Sequence, residues 1–162
     1  MLSMFIKKLL FTRQLFYHEG RFEILGEHSV QLPLKSIIHM QYDNPGETFF
    51  AIRDSTREQF KAYLKKLQVR NENIADPLLH LFELHGVGKL SILDLNIETC
   101  HALVQVHDTP LVSEYEHGKE PVCSVVCGLL SGMFSAVFDA EVHATINKCK
   151  AKGQNYCEFI IK

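Results

Sequence analysis

The hydrophobic pattern of the chain changes period several times, and its longest uninterrupted apolar stretch lies near the end. Residues 121–138 are apolar on nearly every helical face, broken only by small residues such as Ser124, Gly128, Ser131, Gly132 and Ser135. A helix apolar all round is a buried helix, and Pro121 suits a first helical turn. Lys119-Glu120 and Asp139 bound the stretch, which makes it shorter than the roughly 20 residues of a membrane span. It is expected to be the central helix of a soluble core. Beyond it the period falls to two. Residues 142–149 and 156–161 read as short strands joined by a tight turn over Lys152-Gly153-Gln154-Asn155.

The earlier part of the chain is read in the same way. Residues 1–17 mix apolar and basic groups and fit a helix or a strand. Glu19-Gly20 marks a turn, and Phe22, Ile24, Val30 and Leu32 suggest two short strands around Gly26. Pro33 opens a helix to about Tyr42, and Asn44-Pro45-Gly46 breaks it. Residues 47–67 are mainly helical, with Phe49, Phe50, Ile52, Phe60, Tyr63, Leu64 and Leu67 inward. Lys61, Lys65, Lys66 and Arg70 lie opposite, and the favoured reading is a solvated face rather than an anion patch. A further helix runs from about Asn71–Pro77 to Leu84 and stops at Gly86-Val87-Gly88. This pair of glycines follows a helix and precedes a strand, the wrong order for a dinucleotide fingerprint. Residues 89–95 and 100–107 form a hairpin with Ala102, Val104 and Val106 inward and His101, Gln105 and His107 outward. Cys100 shares the inward parity and is expected to be buried. Residues 109–119 read as a polar connection. Strands grouped apart from helices mean an α+β fold: helices packed on a four-stranded antiparallel sheet, plus N-terminal strands.

At 162 residues the chain is sized for a single domain, 1–162. A net charge of −2 argues against bulk electrostatic binding of nucleic acid. The five cysteines come without a secretory signal, which predicts a reducing compartment, the cytoplasm. Residues 1–32 are apolar and offer strand edges for pairing, which predicts a homodimer through this segment.

Four of the cysteines fall in the last forty residues or so. Cys149 and Cys157 each lie four residues from Gly153, so they become cross-strand neighbours with β-carbons about 5 Å apart. Two such thiols can share a metal ion or form a disulfide. Simple alternation puts Ala140, Val142, Ala144 and Ile146 on one side and Cys149 on the other. For Cys149 to face Cys157, the first strand needs one extra residue near Asn147-Lys148, a β-bulge. The bulge also brings Ile146 to the side of Cys149. Cys123 sits in the first turn of the central helix, and Cys127 follows one turn later on the same side. A nucleophilic cysteine needs a base. Cys157 with Glu158 and Cys149 with His143 are the available pairings, but His143 has the wrong parity and no orienting group is evident.

Glu120-Pro121-Val122-Cys123, the Gly128–Gly132 helix and Cys149-x7-Cys157-Glu158-Phe159 together resemble the C-terminal signature of the 4-vinyl-reductase domain family, over about residues 84–162. The resemblance implies a fold shared with the TRAPP vesicle-tethering subunits. In phenol-sensing members, three cysteines with these spacings bind zinc, and they correspond to Cys123, Cys149 and Cys157. The fourth ligand there is a glutamate three residues before the second cysteine, where this chain has Ile146. Cys127, a water molecule and His143 are the candidates for that position, in that order. The competing reading is buried thiols or a Cys149–Cys157 disulfide.

The function expected is binding or sensing of a small hydrophobic or aromatic molecule between the central helix and the sheet, with a structural zinc. Leu129, Met133 and Phe134 are the candidate pocket residues. Gly128, Gly132 and Ser135 either leave room for a ligand or serve only close packing. The alternatives are a reductase-like enzyme acting on a vinyl or tetrapyrrole substrate, and a protein-interaction subunit of the vesicle-tethering type. No catalytic residue is assigned, and whether a reaction is catalysed stays open.

Overall fold

A computed structural model describes residues 4–68, 73–113 and 123–162. The expectations for Arg70, Asn71, residues 114–120, Pro121 and Val122 lie outside the described residues. The chain opens with helix α1 (Met4–Phe11) and strands β1 (Leu15–His18), β2 (Arg21–Ile24) and β3 (Glu27–Ser29). These strands form a three-stranded antiparallel sheet in chain order. Its two hairpins turn over Glu19-Gly20 and Leu25-Gly26, and all four of these residues have positive φ. That is the backbone a two-residue hairpin loop requires, because its twist then matches that of the strands. Val30 and Leu32, expected in a strand, lie beyond β3 and are exposed.

Three helices follow, α2 (Leu34–Asp43), α3 (Pro45–Leu67) and α4 (Ala75–Leu84). Pro45 starts α3 at a position where its missing N–H costs nothing. Phe60 and Tyr63 are buried on α3 as expected, whereas Phe50 is largely exposed and stacks at an angle on Phe49. Two lysines of the polar face have partners. Lys61 Nζ is 2.7 Å from Asp139 Oδ1, and Lys66 Nζ donates to the Leu25 carbonyl and lies 3.3 Å from Glu27. Instead of only facing solvent, this face fastens α3 to its neighbours.

Strands β4 (Lys89–Asn96) and β5 (His101–His107) form the expected hairpin, and Ala102, Val104 and Val106 are buried. Cys100 is not in the strand. It occupies the turn with φ 51° and is half-buried, because the turn diverts it from the inward parity. The connection after β5 is less polar than expected: Thr109 and Leu111 are buried, and a short helix, α5 (Pro110–Ser113), follows. Next come α6 (Ser124–Phe138), β6 (Ala144–Lys148) and β7 (Cys157–Ile161). The four later strands form one antiparallel sheet in the order β4-β5-β7-β6. The turn between β6 and β7 is longer than the tight turn expected and contains a 3-10 turn over Lys150–Lys152, with Gly153 in the left-handed region after it. The fold is therefore α+β, with helices on a four-stranded antiparallel sheet and N-terminal strands.

Every residue of α6 from Ser124 to Val137 is buried. The helix packs on α3 and against β6 and β7. Its glycines serve the helix–helix contact: a β-carbon at Gly128 would stand 2.7 Å from the Phe49 carbonyl oxygen, and one at Gly132 would meet the Arg53 carbonyl. Its serines are polar anchors. Ser131 Oγ donates to the Cys127 carbonyl at 2.6 Å and accepts from the Ala144 N–H at 2.8 Å, and Ser135 Oγ accepts from the Val142 N–H at 3.1 Å. These bonds satisfy hydroxyls that are otherwise costly to bury. Among the described residues no helix is long and apolar enough to cross a membrane.

Candidate functional site

Three elements bring four thiols together at one end of α6. Cys123 caps that helix and does not belong to its first turn: it is non-helical (φ −117°, ψ 32°), and its carbonyl accepts the Cys127 N–H at 2.8 Å. Cys127 is thus one turn along on the same side. β7 supplies Cys157. The ladder between β6 and β7 pairs Ile146 with Phe159 and then Lys148 with Glu158, so Asn147 is an extra residue, the expected bulge. One step further along that register, Cys149 faces Cys157. Ile146 pairs with the fully buried Phe159 and so lies on the face of Cys149, but at the sheet edge it is 40% exposed. Cys123, Cys127, Cys149 and Cys157 are all buried free thiols. His143 does not join them: it is half-exposed beside Glu141, 3.8 Å away. Glu158 does not join them either, since it points to the opposite face of the sheet from Cys157 and cannot act as its base.

The thiols interact with one another. A hydrogen bond to Cys157, together with burial, raises the pKa of Cys123 well above the ordinary thiol value. Burial raises that of Cys149, and it pushes Cys127 up to about 12, helped by the nearby Cys157 and Cys149. Cys157 is the exception. Its pKa falls because Cys123 donates to it and because the Lys150 N–H points at its Sγ from 3.3 Å. The cluster therefore concentrates anionic character on one sulfur. As the side chains stand, no three His, Cys, Asp or Glu groups among the described residues are arranged to hold a metal ion. The sulfurs bond to each other, and ligation needs them to turn toward a common point. The donor set itself fits a thiophilic ion: buried, all sulfur, with a backbone N–H already supporting one ligand.

A small cavity adjoins the thiols. It is walled by Val106, Thr109, Leu111 and Val112 on one side and by Cys123, Val126, Cys157 and Phe159 on the other. Its volume of about 10 Å³ is room for one water molecule. Leu129, Met133 and Phe134 are not among its walls; they are packed in the core one to three turns further along α6. The cavity has one polar feature that the sequence did not announce. Thr109 is 4% exposed, and its hydroxyl has no hydrogen-bond partner. Thr109-Pro110 reads in sequence as a helix cap followed by a first-turn proline, a pattern that assigns the hydroxyl to capping. A separate, open groove of about 910 Å³ lies between β2, β3, α3 and the end of α4, and it shares no residue with the cavity.

Helices on this four-stranded sheet, with a cysteine cluster where central helix and terminal hairpin meet, define the class of domain. Residues 103–162 match the family model of the 4-vinyl-reductase domain, and the chain carries that domain. No curated protein sequence matches it. Among solved structures, it is similar to the phenol-responsive sensory domain of the transcription activator PoxR, crystallised with phenol. The identity is 18%, the TM-score 0.72, and the alignment covers 99% of this chain and 91% of that one. A vinyl-4-reductase family protein from Methanocaldococcus jannaschii aligns with 16% identity and TM-score 0.52, over 83% of each chain. A trafficking protein particle complex subunit 3 from Naegleria fowleri, covalently bound to palmitic acid, aligns with 12% identity and TM-score 0.54, over 82% of each chain. At these identities the likeness is one of fold.

Proposed function

We propose that this chain is a small-molecule-binding domain whose ligand is a compact apolar or aromatic molecule with one hydrogen-bonding group. The observation that carries the reading is the Thr109 hydroxyl, buried without a partner against an otherwise apolar cavity. A buried polar group left unpaired costs about 1–3 kcal/mol, and a ligand hydroxyl recovers that energy. The cavity is far below the roughly 300–1,000 Å³ of drug-sized pockets, so a ring enters only as the walls part. The phenol carried by PoxR fits this description and guides the choice of probe. The decisive experiment titrates phenol and toluene into the purified protein by calorimetry. Saturable phenol binding, with toluene clearly weaker, supports the reading; no heat from either at millimolar concentration overturns it.

In the same reading, Cys123, Cys149 and Cys157, with Cys127 as fourth ligand, hold a structural zinc. Zinc favours tetrahedral thiolate sets, and its charge would stabilise the sulfurs as thiolates, releasing their protons. Bound there, it ties α6 to the β6–β7 hairpin. Cys123 and Cys157 also wall the cavity, so metal and ligand share two side chains. Residues 1–32 pair with a second copy in a homodimer.

A further inference from the structure

Glu158 has more partners than a surface carboxylate needs. Its neighbours in β7, Cys157 and Phe159, face α6, so its side chain lies on the other face of the sheet, yet it is only 6% exposed. It accepts from Gln105 Nε2 on β5 at 2.8 Å and from Asn147 Nδ2 on β6 at 2.7 Å, and Lys148 Nζ is 3.0 Å away. Asn147 is the extra residue of the bulge.

The location matters because side chains alternate strictly along a strand. Without the extra residue, everything after Ile146 changes face, and Cys149 points away from Cys157, Cys123 and Cys127. The encounter of the thiols therefore depends on one inserted residue, and the side chain of that residue is held by Glu158. A bulge leaves its extra residue without a ladder partner; here the carboxylate supplies a bond in its place and is itself braced from β5 by Gln105. We propose that Glu158 is a positioning residue for the thiol site: by gripping Asn147 it holds the bulge in the register that delivers Cys149 to the other cysteines. The inference rests on reading the thiols as a metal site, and its test separates the two.

The probe is Co²⁺ added to reduced, metal-free protein, read by the cobalt–thiolate absorption band. Asn147→Ala and Glu158→Ala are each expected to weaken Co²⁺ binding by about 10–100-fold, the usual effect of losing an outer-shell partner. The double variant should be no weaker than the worse single one, since both break the same bond. Lys148→Met, which removes the ion pair and leaves the grip on Asn147 intact, should stay within about threefold of the parent. Deletion of Asn147 should reduce the band as far as Cys149→Ser does. Wild-type affinity in Asn147→Ala overturns the proposal; its exposed side chain makes misfolding no explanation. A parent protein with no cobalt–thiolate band overturns the metal reading alone. In that event the bulge is read by diamide in a Cys123→Ser/Cys127→Ser background. Diamide accepts the two thiol hydrogens and becomes the hydrazine as the Cys149–Cys157 bond forms. Cross-linking in the parent, slowed at least about tenfold in Asn147→Ala and Glu158→Ala, supports the positioning role, and equal rates overturn it.

Discussion

Thr109→Val exchanges a hydroxyl that bonds to nothing for a methyl of nearly the same shape. Removing an unpaired buried polar group is neutral or stabilising. The expected outcome in urea denaturation is unchanged stability or a gain of up to about 1 kcal/mol. In calorimetry the same variant should lose its preference for phenol over toluene. A drop in stability of about 2 kcal/mol would show instead that the hydroxyl is satisfied in the folded protein. The cysteines make the second prediction: if zinc is present, chelation should lower the thermal midpoint, and metal analysis of protein purified without chelator should find close to one equivalent. The two groups of residues were not equally readable in the sequence. The spacing of Cys149 and Cys157 about Gly153 is a property of the chain, so their approach, and the bulge it demands, could be worked out in advance. Thr109 could not, because its importance lies in a hydrogen bond that is missing, and only three-dimensional packing decides that. The pocket residues failed for a related reason. Glycines at 128 and 132 signal close approach, but the sequence does not say whether a ligand or another helix does the approaching. It is α3.

That contact between α3 and α6 supports two further predictions. Alanine normally favours a helix over glycine by about 1 kcal/mol, but at Gly132 its methyl meets the Arg53 carbonyl, which is backbone and cannot swing away. Overpacking costs about 1–3 kcal/mol, so Gly132→Ala should be destabilised by roughly 1–2 kcal/mol in urea. Asp139 ends α6 in the left-handed region and pairs with Lys61 of α3. That hydrogen bond and charge hold the Asp139 carboxyl below its ordinary value. A depressed acid contributes stability above its unfolded pKa, about 3.9, and loses it as pH falls through the lower folded value. Asp139→Asn keeps a residue that tolerates this backbone. It should therefore be slightly less stable than the parent at pH 7, with the gap closing by about pH 2–3. The helices and hairpins themselves were legible, because proline, glycine and hydrophobic period mark them locally. What was hidden is contextual: Cys100 is drawn out of its strand by the turn, and Phe50 is left outside by the helix it sits on.

For the molecule as a whole, the first expectation concerns assembly. Phe11, Tyr17 and Val30 are strongly exposed although the N-terminal sheet has a core of its own in Leu15, Ile24 and Leu25. Sedimentation at micromolar concentration should show a dimer, and Phe11→Glu with Tyr17→Glu should shift it toward monomer; a monomeric parent would remove the dimer from the proposal. The order β4-β5-β7-β6 has a consequence in time. The last of these strands to be synthesised is also an inner one, lodged between β5 and β6. On the ribosome, β5 and β6 have no common partner until residues 157–161 emerge, and until then β5 shows a bare, half-apolar edge of the kind that recruits other chains. Nascent chains stalled just before Cys157 should therefore be trapped by chaperones and cut by proteases, while those stalled well past Ile161 should resist both.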